Sequence, residues 1–241
     1  FLVFLFLVVA TIGFFINRYL VQQEKIKGIL KRKIKDMEMQ TLRSQMNPHF
    51  IFNTMNSINS YIIQNQKEIA SDYLTRFSKL MRNILDLSKQ EFVALNKEIE
   101  TLCLYLELEA LRLENKFDYS IVIDQDIDQE NTPIPPLIIQ PFVENAIWHG
   151  IHNKKTQGTI CIAIKNISKN QIEITIEDDG IGRKAAGLLK TQQVNHKSYG
   201  IDITMNRLQL LDIKNKVSII DLYDHSHIAC GTQISIVITV E

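Results

Sequence analysis

The chain has no net charge to speak of: Lys and Arg together number 27, and so do Asp and Glu. With no global field of either sign, nucleic acid and broadly acidic substrates lose their electrostatic handle, and any charge message must be local. Cysteine is scarce. Cys103, Cys161 and Cys230 are odd in number, far apart and without a CxxC spacing, which favours a reducing compartment over a disulfide framework or a cysteine-built zinc site. Internal repeats and low-complexity stretches are also missing. At 241 residues and 45% hydrophobic content the chain is no disordered tail; it can build one large or two small cores.

What is present begins with FLVFLFLVVATIGFFI, an apolar run without charge before Arg18. A complete membrane span takes roughly 20 apolar residues, so residues 1–21 are expected to be the end of a transmembrane segment truncated at its start. No small-residue cleavage site follows, which argues against a signal peptide. Arg18, Lys25, Lys27, Lys31, Arg32, Lys33 and Lys35 stand against only Glu24 and Asp36. That positive cluster predicts a cytoplasmic position for everything after about residue 21, at the inner membrane. Residues 22–44 read as a linker helix leading out of it.

Residues 45–95 carry two helical periods. After Pro48, the stripe Ile51, Met55, Ile58, Ile62 is expected to face a core, as is Tyr73, Phe77, Leu80, Ile84, Leu87. With the polar loop around Asn65 to Lys67, this predicts an antiparallel hairpin, completed as a four-helix bundle by a second copy. A third helix is expected from Lys97 to Glu114, with Asn96 as its N-cap. The period then changes to two, at Tyr119 to Ile123, Ile160 to Ile164, Ile172 to Ile176, Val217 to Tyr223 and Gln233 to Val240. Helical segments intervene at about Gln140 to Ile151 and Gly200 to Leu211. The expected fold class is α+β: a helical hairpin, then an α/β sandwich over residues 96–241 with a mixed sheet and helices on one face.

Four segments carry chemistry. Glu177-Asp178-Asp179-Gly180-Ile181-Gly182 ends a strand in a turn that lets backbone approach a ligand, with a carboxylate at its base. In QPFVENAIWHG, Asn145 and His149 are i and i+4 on one helix face, beside Glu144. Ser198-Tyr199-Gly200-Ile201 opens a helix whose free N–H groups suit phosphate, and the polar segment from Arg183 to Tyr199 is long enough to be a lid. Far upstream, QMNPHFIFN sets His49 directly after Pro48, a residue that forces the helix to restart there. Asn53, one turn on, is placed to orient the imidazole. His149 with His152, and His225 with His227, lack a completing carboxylate or cysteine for a metal set.

Taken in order, PHFIFN, QPFVENAIWHG, DDGIG, SYGI and Gly231-Thr232 resemble the LytS-type sensor histidine kinases, whose ATP-binding domain has the Bergerat (GHKL) fold. The resemblance covers roughly residues 40 to 241. It implies ATP and Mg²⁺ as cofactors, Asp178 accepting from the adenine amino group with Thr232 in support, and Asn145 holding Mg²⁺ at the phosphates. Gly180, Gly182 and Gly200 would leave room around the nucleotide, Ser198 would donate a hydrogen bond to phosphate, and Glu144 would contact metal or water. It further implies that His49 is the phosphate acceptor and that a response-regulator protein takes the group from it. Two positions depart from the family pattern. Trp148 stands where a lysine is common, so that one phosphate contact is either missing or supplied by Lys197 or Arg207, and Ser198 replaces a glycine. These departures keep a degenerate nucleotide-binding scaffold or phosphatase as an alternative. A GHKL-type ATPase is a second, disfavoured because Pro141 occupies the position of the water-activating glutamate.

Overall fold

The computed structural model describes residues 48–168, 170–183, 199–211, 215–224 and 226–240, with single positions 17, 18, 21, 22, 24, 185 and 187. The chain divides into two compact units, Phe1–Ser44 and Gln45–Glu241. In the first, Asn17, Arg18, Val21, Gln22 and Glu24 are helical. The expected apolar span and most of the linker helix lie outside the described residues. Among the described residues no helix is long and apolar enough to cross a membrane.

The second unit opens with a helical hairpin, α1 (Pro48–Ile63) and α2 (Lys67–Leu87). Pro48 is the first helical residue, where a missing N–H costs nothing. Asn65, at φ 60°, turns the chain, and the Gln66 N–H donates to the Tyr61 carbonyl at 2.8 Å. All five expected core residues of α2, from Tyr73 to Leu87, are buried. On α1 the expectation needs correcting. The buried face runs through Phe50, Thr54 and Ile58, whereas Met55 and Ile62 point outward. The reason is Phe50: its large ring claims the inward position, 5.2 Å from Tyr105 and 6.2 Å from Phe77, and rotates the stripe by one residue.

Helix α3 (Leu95–Arg112) packs along the hairpin. The buried Tyr73 hydroxyl donates to the Leu108 carbonyl at 3.2 Å, and Arg76 joins Asp72 at 2.8 Å and Glu107 at 2.5 Å. Half-exposed ion pairs of this kind contribute about 1 kcal/mol at most. The apolar contacts therefore carry the packing, at roughly 2 kcal/mol for each fully buried large side chain. Asn96 does not cap this helix. It starts two residues earlier than expected, and the Leu95 and Asn96 N–H groups donate to the carbonyls of Thr132 and Gln129.

Behind α3 lies a five-stranded sheet of β2 (Phe117–Ile123), β4 (Gly158–Ser168), β5 (Gln171–Asp178), β6 (Lys216–Tyr223) and β7 (Ala229–Thr239), in the order β2-β4-β5-β7-β6. The β2–β4 pair is parallel and the rest are antiparallel, so the sheet is mixed as expected. Strands β1 (Val93–Ala94) and β3 (Pro133–Ile134) make a separate two-residue pair. Alternation sends Ile160, Ile162 and Ile164 of β4, Ile172, Ile174 and Ile176 of β5, and Ile234, Ile236 and Ile238 of β7 to one buried face. Against the sheet run α4 (Gln140–Asn145) with the wider π-helical turn Ala146–Ile151, and α5 (Tyr199–Leu211).

Candidate functional site

The period-two rule that buries Ile172, Ile174 and Ile176 also sends the next residue of that face inward, and it is Asp178. Its cross-strand partner in β7 is Thr232, which follows the same rule on its own strand. The isoleucine ladder therefore ends in a carboxylate and a hydroxyl side by side, both buried. Asp178 is 5% exposed, and burial pushes its pKa up to about 6. The Gly180 N–H, donating to Asp178 Oδ1 at 2.9 Å, works against that rise, while the neighbouring Asp179 and Glu177 carboxylates add to it. A buried carboxylate with one protein donor retains capacity to accept more hydrogen bonds.

Its neighbour is differently employed. Asp179 Oδ1 accepts from the Thr159 N–H at 2.8 Å and from Lys154 Nζ at 3.0 Å, tying the turn to β4. The two adjacent acids thus divide into one that holds the turn and one that lines the site.

Glycines set the spacing. A Cβ on Gly180 would lie 2.3 Å from Gly150 Cα, and one on Gly231 would lie 2.0 Å from the Asp178 carbonyl oxygen. The Ile181 N–H donates to the Gly150 carbonyl at 3.2 Å, which fastens the turn to the end of the π-helical segment. Gly182, at φ 75°, takes a conformation that disfavours side chains, and Arg183 just after it forks onto Asp221 of β6 at 2.6 and 2.9 Å. Gly150 was not among the expected site residues. Its signal was the glycine closing QPFVENAIWHG, whose packing role appears only once that segment meets the DDGIG turn.

Asn145, with Glu144 before it, is the last residue of α4; Pro141 sits in its first turn. The continuous helix expected to Ile151 instead widens after Asn145, and the His152 N–H reaches back to Ile147 at 2.7 Å. Such turns recur at functional sites because they offset side chains from the α-helical register. His149 falls within it, half-buried like Asn145. Trp148 packs under the Arg112 guanidinium, 4.5 Å from the ring centroid, and Arg112 is itself paired with the buried Glu109. Arg207 is committed elsewhere as well, donating to the Pro136 carbonyl at 2.7 Å. It is therefore not poised to make up the contact a lysine at position 148 would supply. Ser198 and Lys197, with most of the expected lid, lie outside the described residues, and Gly200 is in the first turn of α5.

The expected residues thus fall into two groups. Asp178, Gly180, Gly182 and Thr232 come together at the end of the sheet, with the α4 segment joined to them through Gly150. His49 and Asn53 lie on α1, whose Phe50 rests on α3. Helix α3 touches both groups, contacting α1 and α2 through Tyr105 and Leu108 and the α4 segment through Arg112 and Trp148. No cluster of three or more His, Cys, Asp or Glu able to hold a metal occurs among the described residues.

Comparison with known proteins extends this picture. Residues 37–117 match the family model described as Histidine kinase. The sensor protein LytS of Oceanobacillus iheyensis is 36% identical over 158 residues, 64% of this chain and 26% of LytS. The sensor histidine kinase YpdA of Escherichia coli is 30% identical over 192 residues, 79% of this chain and 32% of YpdA. The protein YwpD of Bacillus subtilis is 36% identical over 159 residues, 64% of this chain and 56% of YwpD. The matched part therefore spans between about a quarter and just over half of these relatives. Among solved structures, the histidine kinase domain of a blue-light activated kinase from Erythrobacter litoralis EL346 aligns with a TM-score of 0.47 at 15% identity, over 73% of this chain and 85% of that one.

Proposed function

We propose that this chain, which resembles the LytS-type sensor histidine kinases in sequence, transfers the γ-phosphoryl group of ATP to His49 and passes it on to an aspartate of a response regulator. The observation that carries the reading is Asp178. It is a buried carboxylate with accepting capacity left, at the mouth of an apolar sheet face, where glycine backbones meet. A flat heterocycle that donates one amino hydrogen fits such a place. Thr232 beside it supports the same contact.

Asn145, with Glu144 adjacent, offers amide and carboxylate oxygens of the kind Mg²⁺ takes when phosphates and water fill its remaining positions. When bound, that ion neutralises charge on the phosphates. His49 supplies the nucleophile. A neutral imidazole, with an ordinary pKa of about 6.5, has a nitrogen lone pair at neutral pH. A P–N bond forms as the bond from the γ-phosphorus to the bridging oxygen breaks, and ADP departs with that oxygen's electron pair. Transfer of this kind needs positioning and charge neutralisation more than covalent chemistry. Asn53, one helical turn from His49, is the residue to orient the ring. Pro141, where a water-activating glutamate would stand, favours transfer to protein over hydrolysis.

Residues 45–95 serve as the acceptor hairpin and 96–241 as the nucleotide-binding part. Phe52, at 69% exposure, with Met55 and Ile62 on α1 and Ile69, Leu74 and Leu85 on α2, supports pairing with a second copy through the hairpin. Membrane attachment at the inner membrane, with these parts in the cytoplasm, follows from the apolar run and basic cluster before residue 36.

The test is incubation with γ-labelled ATP and Mg²⁺. Acid-labile, alkali-stable label is expected on the wild type and is lost in both His49→Ala and Asn145→Ala. Steady phosphate release with no protein label would replace the kinase by the ATPase alternative. Neither label nor release from folded protein would leave only the scaffold or phosphatase reading.

A further inference from the structure

We propose that Glu98 is a positioning residue for nucleotide binding, an inference that rests on the kinase reading above. Glu98 lies in the first turn of α3, where an acidic residue ordinarily sits in solvent facing its own helix N-terminus. Here it is 2% exposed and points away from that role. Its Oε2 accepts from the Leu137 N–H at 2.6 Å and its Oε1 from the Ile139 N–H at 3.2 Å. These amides belong to the segment that leads straight into α4, the helix carrying Glu144 and Asn145. Leu137 stands at φ 56°, a left-handed conformation that a non-glycine residue adopts only at a cost. The carboxylate grips the chain on both sides of that kink.

Burial raises the pKa of the Glu98 carboxyl above its ordinary range, and the backbone amides of this segment, with the more distant charge of Arg207, work against that rise. Arg207 of α5 holds the same segment separately, donating to the Pro136 carbonyl at 2.7 Å. The approach to α4 is therefore held from two elements: by Glu98 of α3, which packs along the acceptor hairpin, and by Arg207 of α5, whose first turn holds Gly200. A change at Glu98 leaves buried peptide N–H groups without an acceptor, at a local desolvation cost. That cost falls on the segments assigned to the phosphates and Mg²⁺. It does not fall on Asp178, whose turn is fastened independently through Asp179.

Glu98→Gln keeps the volume but turns one acceptor into a donor. In the full chain, amide hydrogen exchange across residues 136–147 and 199–211 is expected to accelerate more than tenfold, with β4 and β5 unchanged. The ATP concentration giving half-maximal His49 labelling is expected to rise about tenfold, while the rate at saturating ATP falls less than threefold. Exchange that rises uniformly over the sheet, or an unchanged half-saturation, would reduce Glu98 to a residue of general stability and overturn the proposal. If wild type itself neither binds nor transfers, the kinase reading fails, and the exchange pattern alone decides whether Glu98 anchors these segments. If the Gln variant does not fold, Arg207→Gln removes the second hold on the same segment, at the Pro136 carbonyl, and is expected to give the same split at about threefold; an unchanged half-saturation there would equally overturn it.

Discussion

Gly180→Ala is expected to cost about 3 kcal/mol of stability and to lower nucleotide affinity by two orders of magnitude or more. The added methyl would sit 2.3 Å from Gly150 Cα and 2.4 Å from the Gly150 carbonyl carbon, with Asp178 Oδ1 at 2.6 Å on its other side. Two of these three neighbours are backbone, so no side-chain rotation relieves the overlap. Overpacking of this kind costs about 1–3 kcal/mol even where side chains can give way. The strain would be relieved by parting the turn from the π-helical segment, which also moves Asp178 away from the Asn145 side of the site. A Cβ on Gly187 meets nothing within 4 Å, so Gly187→Ala serves as the control and is expected to behave as wild type. Denaturation midpoints and titration with a fluorescent ATP analogue measure the two effects. An alanine at position 180 that binds and melts like wild type would show that the Gly150–Gly180 contact does not shape the site.

Asp178→Asn is expected to move stability and binding in opposite directions at pH 8. The folded-state pKa of Asp178, at about 6, lies above the ordinary value of 3.8. The fold therefore holds this proton more tightly than the unfolded chain does. Stability contributed by the protonated form is present at low pH and is lost as pH rises from about 4 through 6, leaving a cost of about 3 kcal/mol for the ionised group at neutral pH. Asparagine can still accept the Gly180 N–H but carries no charge to desolvate, so the variant is expected to be more stable than wild type at pH 8 by up to that amount. Nucleotide binding runs the other way. An adenine amino group donates best to the ionised carboxylate, so wild-type affinity is expected to fall about tenfold per pH unit once the pH is well below 6. The Asp178→Asn protein is expected to bind at least tenfold more weakly than wild type at pH 8, with no such slope. A wild-type affinity flat from pH 8 to pH 5 would remove Asp178 from the adenine contact.

Much of this arrangement is legible in the residues. Isoleucine at every second position in β4, β5 and β7 shows both the strands and their buried face, and extending the count by two from Ile176 places Asp178 inside. Tyr73 to Leu87 likewise marks the buried side of α2. Other features have no local signature. The turn after Asn145 widens although AIWHGI keeps an ordinary helical pattern, and its Gly150 packs on Gly180, 30 residues away in sequence. Glu98 looks like a routine first-turn acid until the 137–139 amides arrive from a distant loop. Met55 and Ile62 keep the right spacing for a core, but Phe50 outweighs them. In each case the partner is tertiary, and helical periodicity is blind to it.

The strand order carries a consequence for how the protein comes together. Two of the four joins in the sheet, β4 with β5 and β6 with β7, link strands that are sequence neighbours, and hairpins of that sort close in roughly 1–10 μs. The β2–β4 and β5–β7 joins must wait for long stretches of chain to be gathered in, at an entropic cost that neither hairpin bears. Those stretches are residues 124–157, which hold α4 and Asn145, and residues 179–215, which hold Gly180, Gly182 and α5. Every residue assigned to the phosphates is thus on chain that settles late, and Asp178 meets Thr232 only when the second of these joins is made. In a refolding trace, recovery of nucleotide binding is expected to trail the return of the strand signal, so a half-assembled sheet would consume no ATP.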